Sequence, residues 1–312
     1  MDNNVELYCE VGFIEKFFKS CPPIINNIPD KNYNHWLFYF NLLIGKSDII
    51  FIDISKEDLV NLNDDVITSD VLTLFLNKYA EGKGNLNCMP EQGKYLKIYE
   101  EDNQEKEWYC NYNDSIFLFD RDKDACKKLE DDYGLMFISP ESLYDRAELL
   151  FTPQRKDVSS TTNLWDFMVD YAHPCNTIHL IDNYLLAKKD NVIKDNVKSL
   201  FGALLPKKMN KRFFNIHIST EMLRGQNEEF VKEKTNKLKQ WIKELREYEI
   251  DIHVKFEKNK NHDRNIITNY FLFDSGYGFV LANNERRKGT KLTTFSITHP
   301  STLSSMKSIL KE

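Results

Sequence analysis

The chain has 312 residues, 41% hydrophobic and 13% aromatic, enough apolar side chain for one large or two ordinary packed domains. Its 11 glycines and 9 prolines exclude a low-complexity chain, and no apolar run approaches the ~20 residues that span a bilayer. The net charge of −6 conceals a contrast, because residues 1–150 hold 15 basic and 29 acidic side chains and the remainder 27 and 19. That asymmetry predicts two parts with different partners: an acidic half suited to a metal ion or a basic protein, and a basic half suited to phosphates. The acidic start MDNNVELYCE predicts no secretory leader. Six cysteines without a C-x-x-C pair predict free thiols in a reducing cytoplasm rather than zinc or disulfides.

In chain order, NVELYCEV reads as a strand, GFIEKFFKS as a short helix and SDIIFIDIS as a buried strand. SDVLTLFLNKYA reads as a helix capped by Ser69, and residues 81–114 as an insertion with strand-like character. SIFLFDRDKDACKKLEDDYGLMFISPESL gives strand, helix and strand, with Gly134 ending the helix and a further helix starting at Pro140. The polar stretch TPQRKDVSSTTN, residues 152–163, reads as a linker between an acidic α/β domain at 1–155 and a basic one at 164–312. In the second domain NTIHLIDNYLL is a strand, 191–206 an amphipathic helix and RFFNIHIST a strand. EEFVKEKTNKLKQWIKELREYE is a helix with Val231, Leu238, Trp241, Ile242 and Leu245 on one stripe. IDIHVKF, RNIITNYFLF, YGFVLAN and KLTTFSITH follow as strands. Strands alternating with helices imply α/β architecture in both domains, the second with a mixed sheet flanked by helices.

Two groups of residues carry chemistry in this pattern. The first lies where a strand leaves a charged turn, in KFEKNKNHDRNIITNYFLFDSGYGF. His262 and Arg264, two apart at the start of a strand, project to the same side and can meet one phosphate group. Lys255, Lys258 and Lys260 precede them as further phosphate-binding candidates. The second group is acidic and stands at strand ends: Glu10, Asp53, Asp120 and Asp122, with Asp70 at a helix start. Carboxylates converging at the carboxyl ends of parallel strands are what a Mg²⁺ or Mn²⁺ site for phosphodiester hydrolysis requires. His179 and His217 alternate with apolar strand residues and read as sheet positions facing one cleft.

His262-x-Arg264 followed after four residues by Asn269, with Ser275-Gly276 downstream, resembles the His-x-Lys-x4-Asp signature of the phospholipase D superfamily. The strand–helix–strand–helix–strand order at 176–256 is similar to one half of that fold. The resemblance implies His262 as nucleophile, Arg264 as phosphate clamp, Asn269 and Ser275 as orienting groups, and no cofactor at this site. Arg264 and Asn269 stand where active members carry Lys and Asp, which leaves a phosphodiesterase or an inactive binding adaptor as the implied functions. One motif per chain implies a homodimer if there is cleavage. Residues 115–143 resemble the last strand–helix–strand of PIN-like nuclease domains, and Asp122, with Asp120 beside it, matches the last metal-binding acid there. Together the resemblances imply a nuclease-like effector of a prokaryotic defence or conflict system, acting on nucleic acid in the cytoplasm. The acidic half is then a second metal centre or a dock for a protein partner.

Overall fold

The computed structural model describes residues 4–22, 31–45, 47–54, 57, 75, 86–88, 114–158, 165–187, 189–222, 227–256, 264–276, 278–279, 290–299 and 301–311. It is α/β and divides into two compact units. The first comprises Met1–Glu130, Leu135–Thr152 and Ile297–Ser304, the second Asp131–Gly134, Pro153–Ser296 and Ser305–Glu312. No helix among the described residues is long and apolar enough to cross a membrane.

The first unit is built on a parallel sheet of β1 (Val5–Cys9), β2 (Ser47–Phe51), β3 (Leu86–Cys88), β4 (Ile116–Leu118) and β5 (Met136–Ile138). The strand order is β3-β2-β1-β4-β5. Its apolar runs are explained by burial on both faces: every residue of β4 and β5 is buried, as a helix-covered parallel sheet demands. Helix α1 (Val11–Lys19) buries Phe13, Ile14 and Phe17. Helix α2 (Lys31–Gly45) buries Trp36, Tyr39, Leu42 and Leu43. The two helices lock through Trp36, whose indole stacks on Phe17 at 5.1 Å and whose Nε1–H donates to the Phe17 carbonyl at 3.1 Å. Helix α3 (Lys123–Tyr133) joins β4 to β5 and ends at Gly134, and a short helix α4 (Ala147–Phe151) follows the turn after Pro140. The helix expected over 69–80 lies outside the described residues except for Phe75, which is helical and buried.

The second unit has a mixed seven-stranded sheet. Its strands are β6 (Gln154–Val158), β7 (Thr177–Ile181), β8 (Phe214–Thr220), β9 (Ile250–Phe256), β10 (Asn265–Thr268), β11 (Phe271–Ser275) and β12 (Thr290–Ser296). The order is β6-β12-β11-β10-β7-β8-β9, with β7, β8 and β9 parallel and every other pair antiparallel. Helix α5 (Asp190–Leu204) joins β7 to β8, and α6 (Glu228–Lys243) joins β8 to β9. Asn227 caps α6 by accepting the Phe230 N–H at 2.8 Å, and Val231, Leu238 and Ile242 form its buried stripe. A last helix, α7, covers Thr302–Lys311.

Two expectations are corrected. Residues 154–158 are not linker but edge strand β6, paired with β12 from Gln154↔Thr294 to Val158↔Thr290. RNIITNYFLF is not one strand but the hairpin β10–β11, turning at Asn269 and Tyr270. Its largely apolar character reflects burial of both strands, not continuity. The strand expected at 277–283 lies almost wholly outside the described residues.

Candidate functional site

In the first unit the chain leaves β1 for one side of the sheet and β4 lies on the other, so the switch point of the strand order falls between β1 and β4. In open α/β sheets ligands gather there, outside the carboxyl ends of the strands. Glu10 directly follows β1, Asp53 stands two residues beyond β2, and Asp120 two beyond β4. The three carboxylates come together. The Val11 N–H at the start of α1 donates to both carboxylate oxygens of Asp53 at 3.0 Å, and the Asp120 N–H donates to Glu10 Oε2 at 2.5 Å. Asp120 lies against Gly12, where a Cβ would collide with its carboxylate. Glycine in the first turn of α1 therefore lets the helix approach the acid.

Burial is the main cause that pushes Glu10 up to about 7. The Asp120 N–H and Arg121 oppose it, while the charges of Asp53 and Asp120 add to it. Burial likewise raises Asp53, helped by Asp120 and opposed by the Val11 N–H. Two cations answer the cluster: Lys16 Nζ lies 2.5 Å from Asp120 Oδ1, and Arg121 Nε 4.0 Å from Glu10 Oε1. Among the described residues no three His, Cys, Asp or Glu side chains form a set arranged to hold a metal ion. The donor chemistry of Glu10, Asp53 and Asp120, hard carboxylate oxygens drawn from three neighbouring strands, nevertheless suits Mg²⁺ or Mn²⁺. Asp122 does not join them. It is exposed and caps α3, its Oδ1 accepting the Ala125 N–H at 2.7 Å. Asp70 lies outside the described residues.

The second unit has its own switch point, between β7 and β10. Arg264 enters β10 there, and its Nε lies 3.7 Å from Asp182 Oδ1, just past β7. Its Nη1 donates to the Gly276 carbonyl at 3.2 Å, and its guanidinium sits 5.2 Å from the centre of the Tyr184 ring. Asp182 is 2% exposed; burial raises its pKa, opposed by the N–H groups of Phe279 and Tyr184 and by Arg264. Gly278, at φ +86°, fits over the pair, since a Cβ would come within 2.6 Å of Asp182 and 2.8 Å of Arg264 Cδ. His262, Lys258 and Lys260 lie outside the described residues.

The rest of the expected phosphate constellation is dispersed. Asn269 sits in the β10–β11 turn, at the far end of β10 from Arg264, five residues and about 16 Å along the strand. Its Oδ1 accepts the N–H groups of Asn176 and Thr177 at 2.8 and 3.1 Å, and its Nδ2 donates to Asn176 Oδ1 at 2.9 Å. It latches the turn to β7 rather than orienting a phosphate. Ser275 is buried, and its Oγ bonds the N–H and C=O of Gly278 and the hydroxyl of Thr290, so it ties down a turn. Lys255 pairs in register with Ser219, and Ser219 with Ile181. Strand alternation therefore puts it on the sheet face opposite Asp182 and Arg264.

That opposite face carries an arrangement for which spacing alone gave only a hint. His179, His217 and His253 are register partners across β7, β8 and β9. Their rings stack at 4.5 Å and 5.2 Å, tilted by 11° and 14°. Burial, then the charge of His217, lowers His179 to about 4. His217 is lowered by burial and by His253, with Asp251 opposing. His253 Nε2 lies 3.0 Å from Asp251 Oδ2.

No protein-family model matches the chain, and no curated protein matches it.

Proposed function

We propose that the chain hydrolyses phosphodiester bonds in nucleic acid with a divalent cation, the chemistry residing in Glu10, Asp53 and Asp120. The observation that carries the proposal is the meeting of three part-buried carboxylates at the β1/β4 switch point, with Glu10 driven to about 7. Asp53 and Asp120 would hold Mg²⁺ or Mn²⁺. When bound, such a cation supplies charge for the phosphoryl oxygens and a more acidic water. Glu10, near half-protonation at neutral pH, can accept the proton of the attacking water. Lys16 and Arg121 stand beside the carboxylates and can turn to phosphate oxygens as substrate enters. The excess of 27 basic over 19 acidic residues beyond residue 150 suits a polyanion. The free thiols Cys9, Cys21, Cys126 and Cys175 fit the reducing cytoplasm this function assumes.

A second reading keeps the phospholipase D-like mechanism, with His262 as nucleophile in a homodimer. The position of Arg264 beside the β7/β10 switch point favours it, and the dispersal of Asn269 and Ser275 weighs against it. The two separate in one assay. Cleavage of labelled RNA and DNA with Mn²⁺ should vanish in Asp53→Asn and on chelation with EDTA, and persist in His262→Ala. Loss in His262→Ala with indifference to EDTA would move the chemistry to the second unit. No turnover under any condition would leave a binding adaptor.

A further inference from the structure

The carboxyl edge of β7, β8 and β9 bears an unusual set of side chains. Tyr184 stands three residues past β7, Met222 two past β8, Phe256 ends β9, and Phe230 lies in the first turn of α6. They are 40%, 46%, 39% and 42% exposed, and among the described residues between β7 and β12 they account for four of the five large apolar side chains that stand well exposed. Large rings left in water at one edge mark an interaction site rather than scattered surface. Two of the rings are fixed by cations. Arg264 lies 5.2 Å from the Tyr184 ring, and Lys234 Nζ lies 4.9 Å from the Phe230 ring while donating to the Leu186 carbonyl at 3.2 Å. Lys234 thereby draws the start of α6 to the segment that carries Tyr184.

Next to Tyr184 in sequence and opposite Phe256 in register are buried polar atoms with unmet hydrogen bonds. Thr220, at the end of β8, is 0% exposed and its Oγ1 has no partner; Asn183, next to Tyr184, is 6% exposed and its Oδ1 has none. A buried hydroxyl and amide oxygen left unpaired at this edge can bond a polar group from outside. Thr220 continues the register row of Asp182, so its side chain shares the face on which Arg264 and Asp182 meet.

We propose that this rim binds single-stranded nucleic acid, bases stacking on Tyr184, Phe230 and Phe256 while base-edge groups reach Thr220 and Asn183. Phe256 ends β9 and Tyr184 follows β7, two strand places and about 10 Å away in the sheet, a span that one or two stacked bases can bridge. Charge complementarity selects the occupant: a polyanion meets a half-chain with eight more basic than acidic residues. Arg264 acts here by steadying the Tyr184 ring, since Asp182 already neutralises it. The inference rests on the nucleic-acid substrate proposed above, and names which form of it the second unit holds.

The test is fluorescence anisotropy of the full-length protein with labelled oligothymidylate and with a duplex, at several salt concentrations. Single-strand binding should exceed duplex binding. Tyr184→Leu and Phe256→Leu should each weaken it by about 5- to 150-fold, the worth of one stacked base, while Tyr184→Phe binds like the parent. Circular dichroism will confirm that these exposed substitutions leave the fold intact. Unchanged affinity in the leucine variants, or equal binding of the duplex, overturns the inference. Cleavage by the Glu10 cluster is measured separately with saturating substrate and Mn²⁺. If cleavage survives while the rim variants bind normally, the rim inference alone fails; if stacking is seen without cleavage, the catalytic reading alone fails.

Discussion

Replacing His179 by Phe keeps an aromatic ring stacked against His217 and removes one titrating group from the ladder on β7, β8 and β9. In the fold His179 is held near 4 against 6.5 when free, so between those values the unfolded chain binds a proton that the folded chain refuses. Stability therefore rises with pH across that window. It is fully present above about 6.5 and lost as pH falls toward 4. The interval corresponds to about 3 kcal/mol at 1.36 kcal/mol per unit, and partial solvent access reduces the expectation to about 2 kcal/mol. Burial and then the neighbouring His217 cause the shift, with His253 and Asp251 facing the stack from β9. Other groups, Glu10 among them, titrate in the same range, so the informative quantity is the difference between parent and variant. Urea unfolding followed by circular dichroism at about pH 7.5 and about pH 4.5 should show the parent losing about 2 kcal/mol more than His179→Phe. Parallel losses in the two proteins, or a parent that gains stability on acidification relative to the variant, would refute the reasoning.

Two further outcomes follow from the second unit. Asn269→Asp, which places a carboxylate where the phospholipase D signature carries its acid, should destabilise the protein by about 1–3 kcal/mol and create no activity. It sets a carboxylate oxygen against Asn176 Oδ1 where Nδ2 now donates at 2.9 Å; a gain of cleavage would contradict the latch. Gly278→Ala should cost about 1–3 kcal/mol in chemical denaturation, because φ is +86° and the new methyl meets Asp182 and Arg264; an unchanged midpoint would show that the turn is not needed as drawn.

What could be read from the sequence was whatever depends on local pattern. The apolar runs SIFLF and LMFIS announced strands, which the fold buries throughout, and EEFVKEKTNKLKQWIKELREYE announced by spacing the helix that covers Glu228–Lys243. Helix α2 carried no such signal, because Trp36, Tyr39, Leu42 and Leu43 are mingled with the further rings Tyr33, Phe38 and Phe40 and no clean polar face remains. Strand-end acids were legible at Glu10 and Asp53. The choice between Asp120 and Asp122 was not, since it turns on which residue closes β4 and which caps α3. The Asn269 turn was hidden inside an apolar run. The histidine ladder needed the register of three strands, and the unpaired Thr220 hydroxyl needed the packed edge, neither of which a linear pattern encodes.

Among the described residues, edge strand β6, at 154–158, finds its ladder partner only in β12, at 290–296. On a ribosome the first strand of the second sheet emerges more than a hundred residues before the strand that will receive it. Through that interval its backbone donors and acceptors stay in water, and the sheet is free to grow from β7, β8 and β9, whose helical crossovers are local. Closure of the antiparallel side is therefore a late event of synthesis, and the nascent chain carries an open strand edge until then.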